Sequence, residues 1–263
     1  MKLFAIFGDP VAHSRSPLMH NSVFEHLHVN ACYTRVHLQD GTRLRDTFFA
    51  LKLSGANVTI PHKEAAFEAC DEVRGFAKKI GVVNTLINEN GKLIGYNTDA
   101  DGFIYAITPF QPIQSVLVLG AGGTAKALVN KFIDEGLKVS VLNRSHGRLD
   151  YFKALGVATY TWERMPQQQF DLIVNTTSAG LSDNEYPAPL ELLEPLIAAC
   201  NFCADAIYGK VTPFLALARQ HRKTSKDGAD MLLGQGVLAA SLFLNNAFNN
   251  EQIETNMKKS FLL

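Results

Sequence analysis

Short apolar runs alternate with stretches of helical periodicity along almost the whole chain. "KLFAIFG" (2–8) reads as a strand, and "SPLMHNSVFEHLH" as a helix with Ser16 as its cap and Pro17 in its first turn. "ACYTRVHL" predicts a second strand and "RLRDTFFALKL" a second helix. "ANVTI" follows as a strand that Pro61 ends, with Pro61 suited to the first position of the next helix. "GVVNTLI" and "KLIGYN" flank "NENG", a hairpin signal. Such alternation predicts an α/β protein with parallel strands. Two prolines in residues 107–114 mark a break, after which the alternation resumes. The long apolar helix of "ADMLLGQGVLAASLFLNNAF" ends the core and is expected to pack back on the first domain.

The unit after the break carries the clearest chemical signal. "SVLVLGAGGTAKALVNKFIDEGLKVSVLNRS" is strand, glycine turn, helix and strand in about thirty residues, the span of one βαβ unit. "GAGGTA" fits G-x-G-x-x-A: Gly120 for the tight turn, Gly122 for close approach of a phosphate, Ala125 for helix–strand packing. The helix amides then face the anion. A site for NAD usually has an acidic residue at the end of the second strand. Here stand Asn143, Arg144 and Ser145, with Arg148 further on. A carboxylate repels a 2′-phosphate and an arginine pairs with it, so these residues point to NADP.

The first half places polar groups where apolar ones would be cheaper. Ser14 and Ser16 of "HSRSP" present two hydroxyls around a turn, able to hold a carboxylate or, for Ser16, simply to cap a helix. Asn84 interrupts an apolar strand, where an amide must find a backbone partner or a ligand. Lys63 falls in the first turn of a helix, where the peptide dipoles disfavour an ammonium; it is either a solvated lysine or a proton-exchanging one. Asp99 opens another helix, as a cap or as a partner that would hold Lys63 charged.

Composition narrows the possibilities. The 263 residues suffice for one large domain or two ordinary ones. Twenty-five basic and twenty-five acidic residues cancel, with no like-charge run, which argues against a nucleic-acid face. The apolar start is too short for a signal segment and no run approaches a membrane span, so a cytoplasmic protein is expected. Cys200 and Cys203 form a Cys-x-x-Cys without a second pair or histidines at zinc spacing; buried structural thiols are expected, and no metal site.

Taken in order, "HSRSP", "SGANVTIPHKE", "GVVNTL", "GYNTDADGF", "GAGGTAKA", "NRS", "NTTSAG", "YGKVTPFL" and "DGADMLLGQ" resemble the shikimate dehydrogenase family over nearly the whole chain. The resemblance implies an α/β enzyme of two lobes that reduces 3-dehydroshikimate to shikimate with NADPH, as a monomer or homodimer. The substrate lobe would be residues 1–99, completed by 235–263 with the C-terminal helix returning to it. The Rossmann-like, doubly wound NADP lobe would be residues 100–234. Ser14 and Ser16, helped by Tyr208, would hold the substrate carboxylate. Asn57, Thr59, Asn84 and Gln235 would bind its hydroxyls, and Lys63 and Asp99 would be the proton-transfer pair. Gly120, Ala121, Gly122, Gly123 and Thr124 would lie on the pyrophosphate, and Asn143, Arg144, Ser145 and Arg148 around the 2′-phosphate. Thr177, Ser178 and Gly228 would also border the cofactor. Ser145 replaces a common Thr, Val82 a common Ala, and "YGK" the more usual Tyr-Asn-Pro; none of these removes a chemical group. Quinate-using relatives and a non-catalytic NADP-binding sensor are the alternatives; the sensor would lack Lys63 or Asp99, and both are present.

Overall fold

The computed structural model describes residues 1–262, so Leu263, the last residue of the segment expected to complete the first lobe, lies outside the described residues. The chain divides into two compact units, Met1–Gly102 with Leu233–Leu263, and Phe103–Leu232. The divisions fall inside two helices rather than in the proline-marked segment 107–114.

The first unit is built on β1 (Lys2–Gly8), β2 (Ala31–His37), β3 (Gly55–Val58), β4 (Glu72–Val73), β5 (Thr85–Glu89) and β6 (Lys92–Tyr96), in the order β2-β1-β3-β5-β6-β4. β1 pairs in parallel with β2 and β3, but β5 runs antiparallel to both β3 and β6. The sheet is therefore mixed, not parallel as the alternation predicted. The cause is local: Asn90 and Gly91, both at positive φ, form the tight hairpin that "NENG" signalled, and a hairpin reverses the strand.

The second unit contains β7 (Ser115–Leu119), β8 (Lys138–Leu142), β9 (Ala158–Tyr160), β10 (Leu172–Asn175), β11 (Phe202–Asp205) and β12 (Thr224–Lys226). Their order is β12-β11-β10-β7-β8-β9, and every pairing is parallel. This is the doubly wound dinucleotide-binding order, with its switch point between β7 and β10. β7 and β10 are apolar and buried because helices cover both faces of such a sheet. One covering core includes Leu128, Phe132 and Phe152; the other includes Leu193, Ile197 and Phe214.

The helices in chain order are α1 (Ser16–His26), α2 (Leu44–Ala50), α3 (Lys63–Ala69), α4 (Phe76–Ile80), α5 (Asp99–Ile107), α6 (Gly123–Asp134), α7 (Asp150–Ala154), α8 (Leu190–Ala199), α9 (Pro213–Gln220), α10 (Ala229–Phe243) and α11 (Asn250–Lys258). Three local expectations need correction. Ser16 is the first helical residue of α1 and not its cap; its N–H donates to Ser14 Oγ at 3.3 Å instead. β3 stops at Val58, leaving Ile60 exposed, and Pro61 precedes α3 by two residues because a turn closes from His62 N–H to the Thr59 carbonyl at 3.0 Å. Asn84 stands one residue before β5 and not within it. The C-terminal end of α10 and all of α11 belong to the first unit, and α11 packs against α1. Cys200 and Cys203 are both buried, their Sγ atoms 3.5 Å apart, in the core beside α8 and β11. No helix among the described residues is long and apolar enough to cross a membrane.

Candidate active site

Two polar constellations stand out, one in each unit. In the first, Lys63 is the first residue of α3 and Asp99 the first residue of α5. The two meet: Lys63 Nζ donates to Asp99 Oδ2, with the side chains 12% and 8% exposed. Their preferences differ. A helix N-terminus welcomes the carboxylate of Asp99 and disfavours the ammonium of Lys63, so Asp99 is what keeps the ammonium favourable there. The other carboxylate oxygen, Oδ1, accepts from Asn84 Nδ2 at 2.8 Å.

Asn84 is held on every side. Its backbone N–H donates to the Tyr96 carbonyl at 3.0 Å, and its carbonyl accepts from Val58 N–H at 2.8 Å. Its Oδ1 accepts from Thr98 N–H and from Thr85 Oγ1, each at 2.9 Å. Both partners a buried amide requires are thus present, and its spare donor is turned onto Asp99. Asn57, on β3, is the register partner of Thr85 and donates to Thr85 Oγ1 at 3.1 Å. Thr59 follows the strand and is half-buried; its methyl occupies the space that a Cβ on Gly8 would need, 2.4 Å away.

Ser14 and Ser16 are both buried, and Ser14 Oγ donates to Ser16 Oγ at 3.2 Å. The turn they occupy is clamped from behind. Arg35 Nε and Nη2 both donate to the Ser14 carbonyl, at 3.1 and 2.6 Å, and Arg15 Nη2 donates to the Ser260 carbonyl at 2.9 Å. The sequence suggests at Ser14 and Ser16 a carboxylate holder without formal charge, and gives no sign of Arg35, which lies twenty-one residues from Ser14. Gln235 is buried on α10 in this unit, whereas Tyr208 belongs to the second unit, in the segment after β11.

In the second unit the glycine turn and the Thr176–Ser178 segment follow the adjacent strands β7 and β10, at the switch point. Gly120 has φ +105°, and a Cβ there would meet Thr176 Oγ1 and Thr177 Cγ2 at 2.9 Å, so only glycine fits. Gly122 precedes α6 in extended conformation, and a Cβ built on it meets nothing within 4 Å. Its backbone therefore lies open, and the amides that start the twelve-residue helix α6 are available to an anion. Ala121 and Ala125 are buried, with Gly123 and Thr124 between them in the first turn.

Past β8, Asn143 Nδ2 donates to the Ser145 carbonyl at 2.9 Å and shapes the turn, leaving Arg144 and Arg148 exposed. No acidic side chain stands in residues 143–148. Open glycine backbone, helix amides and two exposed guanidinium groups fit a phosphorylated dinucleotide.

The loop carrying Thr177 has a buried support that the sequence did not reveal. Asn175 Oδ1 accepts from Thr177 N–H at 3.0 Å and from Thr177 Oγ1 at 2.8 Å, while its Nδ2 donates to Asp205 Oδ1 at 3.1 Å. Asp205 also accepts from Thr212 Oγ1 at 2.6 Å, and its burial raises its pKa above the usual carboxylate range. Gly228 is glycine for packing: a Cβ would lie 2.3 Å from the Ala206 carbonyl oxygen.

A parallel sheet in 3-2-1-4-5-6 order with a glycine turn at its switch point, in a chain whose first unit carries a buried lysine–aspartate pair, defines a two-domain nucleotide-dependent enzyme class. A family model described as the shikimate dehydrogenase substrate binding domain matches residues 6–86. A shikimate dehydrogenase (NADP(+)) of Helicobacter hepaticus is 41% identical over 261 residues, covering 98% of this chain and 97% of its own. The crystal structure of shikimate dehydrogenase 1 from Peptoclostridium difficile superposes with a TM-score of 0.86 at 28% identity, over 100% of this chain and 98% of that one. The Thermus thermophilus shikimate 5-dehydrogenase, solved in complex with NADP(H) and shikimate, gives 0.83 at 32% identity, over 99% and 100%. The chain belongs to the shikimate dehydrogenase family.

Proposed function

We propose that this chain catalyses the reversible, NADPH-dependent reduction of 3-dehydroshikimate to shikimate, in the pathway leading to aromatic amino acids. The observation that carries the reading is the Lys63–Asp99 pair, with Asn84 fixing the second carboxylate oxygen. The family and the switch-point glycine turn support it.

NADPH, when bound, would supply the hydride. Gly120, Ala121, Gly122, Gly123 and Thr124 would hold its pyrophosphate, and Arg144 and Arg148 would pair with its 2′-phosphate, with Asn143 and Ser145 shaping their turn. Thr177, Ser178 and Gly228 would border it. Ser14 and Ser16 bind the substrate carboxylate, over a turn that Arg35 holds with a positive charge. Asn57, Thr59, Asn84 and Gln235 read the ring hydroxyls. As the ketone oxygen gains charge, Lys63 stabilises it and donates a proton, and Asp99 holds and aims the lysine side chain until then. The protein acts in the cytoplasm as a monomer or homodimer, with small molecules and not nucleic acid as its partners.

The test is steady-state oxidation of shikimate and of quinate, each with NADP and with NAD, on the wild type and Lys63→Ala. Shikimate with NADP should be preferred, and Lys63→Ala should cut turnover at least about 100-fold, the scale of positioned acid–base catalysis. Quinate preference would move the chain to the quinate-using branch. Absence of activity with all four pairs would leave a binding protein, and near-normal turnover of Lys63→Ala would reduce that lysine to a binding role.

A further inference from the structure

The hydrogen bonds behind the proposed substrate site run head to tail. Tyr33 Oη donates to Asn57 Oδ1 at 2.7 Å; Asn57 Nδ2 donates to Thr85 Oγ1 at 3.1 Å; Thr85 Oγ1 donates to Asn84 Oδ1 at 2.9 Å; Asn84 Nδ2 donates to Asp99 Oδ1 at 2.8 Å. Each middle member accepts from one neighbour and donates to the next, and the series ends on the carboxylate that holds Lys63. Asn57 and Thr85 are register partners across β3 and β5. Tyr33 stands opposite Phe4 on β2, and Asn57 opposite Ile6, so both side chains share the face of Phe4 and Ile6 on β1.

Both amides of this series are held. The orientation of Asn84 is set twice, by Thr85 and by the Thr98 backbone N–H. Asn57 Oδ1 accepts from Tyr33 Oη, while Asn57 Nδ2 donates to Thr85 Oγ1 and, at 3.3 Å, to the Asn84 carbonyl. Tyr33 is itself fixed by packing: it is 2% exposed, and His20 stacks on its ring at 4.4 Å with planes 7° apart. Ser16 also neighbours the Tyr33 hydroxyl. A buried phenol in such a setting stays a donor, because burial raises its pKa well above the usual tyrosine range. Thr85 is fully buried and has a single proton, so accepting from Asn57 leaves that proton only Asn84 to reach.

We propose that Tyr33 and Thr85 are positioning residues for the substrate: they fix the amide orientation of Asn57, and through Asn84 they tie it to the Lys63–Asp99 pair. The inference rests on the reading of Asn57, Asn84 and Asp99 given above. Series of this kind polarise in one direction, so losing one hydroxyl loosens its neighbours as well.

The test compares Tyr33→Phe, Thr85→Val and Thr85→Ser in the full-length enzyme, measuring KM for shikimate, KM for NADP, kcat and the melting temperature. Tyr33→Phe and Thr85→Val should each raise KM for shikimate about tenfold, the worth of one net hydrogen bond, with KM for NADP unchanged and kcat within about threefold. Thr85→Ser, which keeps the hydroxyl, should restore KM to within about threefold of wild type. An unchanged KM for shikimate in both hydroxyl-free variants overturns the inference. So does a parallel rise in both KM values, which would mark general loosening. If one variant fails to fold, the other decides the question; if both fail, Thr85→Cys, a weak donor of serine size, takes the place of valine. An active wild type with a crippled Lys63→Ala and with Tyr33→Phe and Thr85→Val both indifferent sinks only this inference. An inactive wild type, or a fully active Lys63→Ala, sinks the functional reading itself.

Discussion

Replacing Asp99 by Asn should destabilise the protein more than replacing Lys63 by Met, although both changes break the same pair. Asp99 accepts from Lys63 on one oxygen and from Asn84 on the other. An asparagine has one acceptor oxygen, so one of the two donors would face its NH₂. The ammonium of Lys63 would also remain at the start of α3, against the peptide dipoles and 12% exposed. Breaking a buried pair in this way costs about 3–5 kcal/mol, and the remaining exposure argues for about 3. In Lys63→Met the carboxylate keeps the Asn84 bond, worth about 1.5–3 kcal/mol to a charged group, and the N-terminus of α5, worth about 0.3–1 kcal/mol. The net loss should then be about 1 kcal/mol. Lys63→Met/Asp99→Asn should be less damaging than the sum of the two, because no ammonium is left stranded. Urea unfolding of the ligand-free proteins at pH 7, followed by far-UV circular dichroism and by fluorescence, measures all three. Coincident transitions are needed, since two units can unfold separately. A Lys63→Met protein less stable than Asp99→Asn would refute the reasoning.

Further consequences concern acidity and the cofactor site. His20 is fully buried; Asn57 is its polar neighbour, yet neither ring nitrogen reaches a hydrogen bond of ordinary geometry, and burial lowers its pKa from 6.5 to about 3. Its neutral form favours the fold above pH 6.5, and that contribution is lost as the pH falls towards 3, because the unfolded chain takes up the proton first. Relative to His20→Phe, the wild type should lose about 2–3 kcal/mol between pH 6.5 and 4.5 in urea titrations, and parallel curves would contradict this. Gly122→Ala should leave the melting temperature unchanged, since its Cβ meets nothing within 4 Å, while raising KM for NADP at least about tenfold. Gly228→Ala should instead lower the melting temperature, costing about 1–3 kcal/mol of stability by overpacking against the Ala206 backbone. Arg144→Asp should erode the preference for NADP, and an unchanged ratio of kcat/KM between NADP and NAD would exclude that arginine from the 2′-phosphate site.

The sequence alone determined what consecutive residues dictate to one another within a single strand, turn or helix and its immediate successor. The β7–α6–β8 unit was readable because the apolar run, the glycine spacing and the helical period are all local. The cofactor type was readable for the same reason, since Asn143, Arg144 and Ser145 directly follow β8. So was the hairpin at Asn90 and Gly91, because turn residues carry their own backbone preference. Tertiary structure alone decided which polar groups meet. Lys63 and Asp99 are both candidates in the sequence, but thirty-six residues separate them and only the tertiary structure brings the first residues of α3 and α5 together. The same hairpin makes the first sheet mixed, but that β5 also pairs antiparallel with β3 was decided by the assembled sheet. Arg35, Tyr33 and Thr85 were passed over because an arginine, a tyrosine and a threonine in strand-forming stretches look ordinary in sequence. Their roles arise from register: β1 beside β2 and β3 beside β5 set which side chains face one another, and periodicity records the face of a strand but not its neighbour.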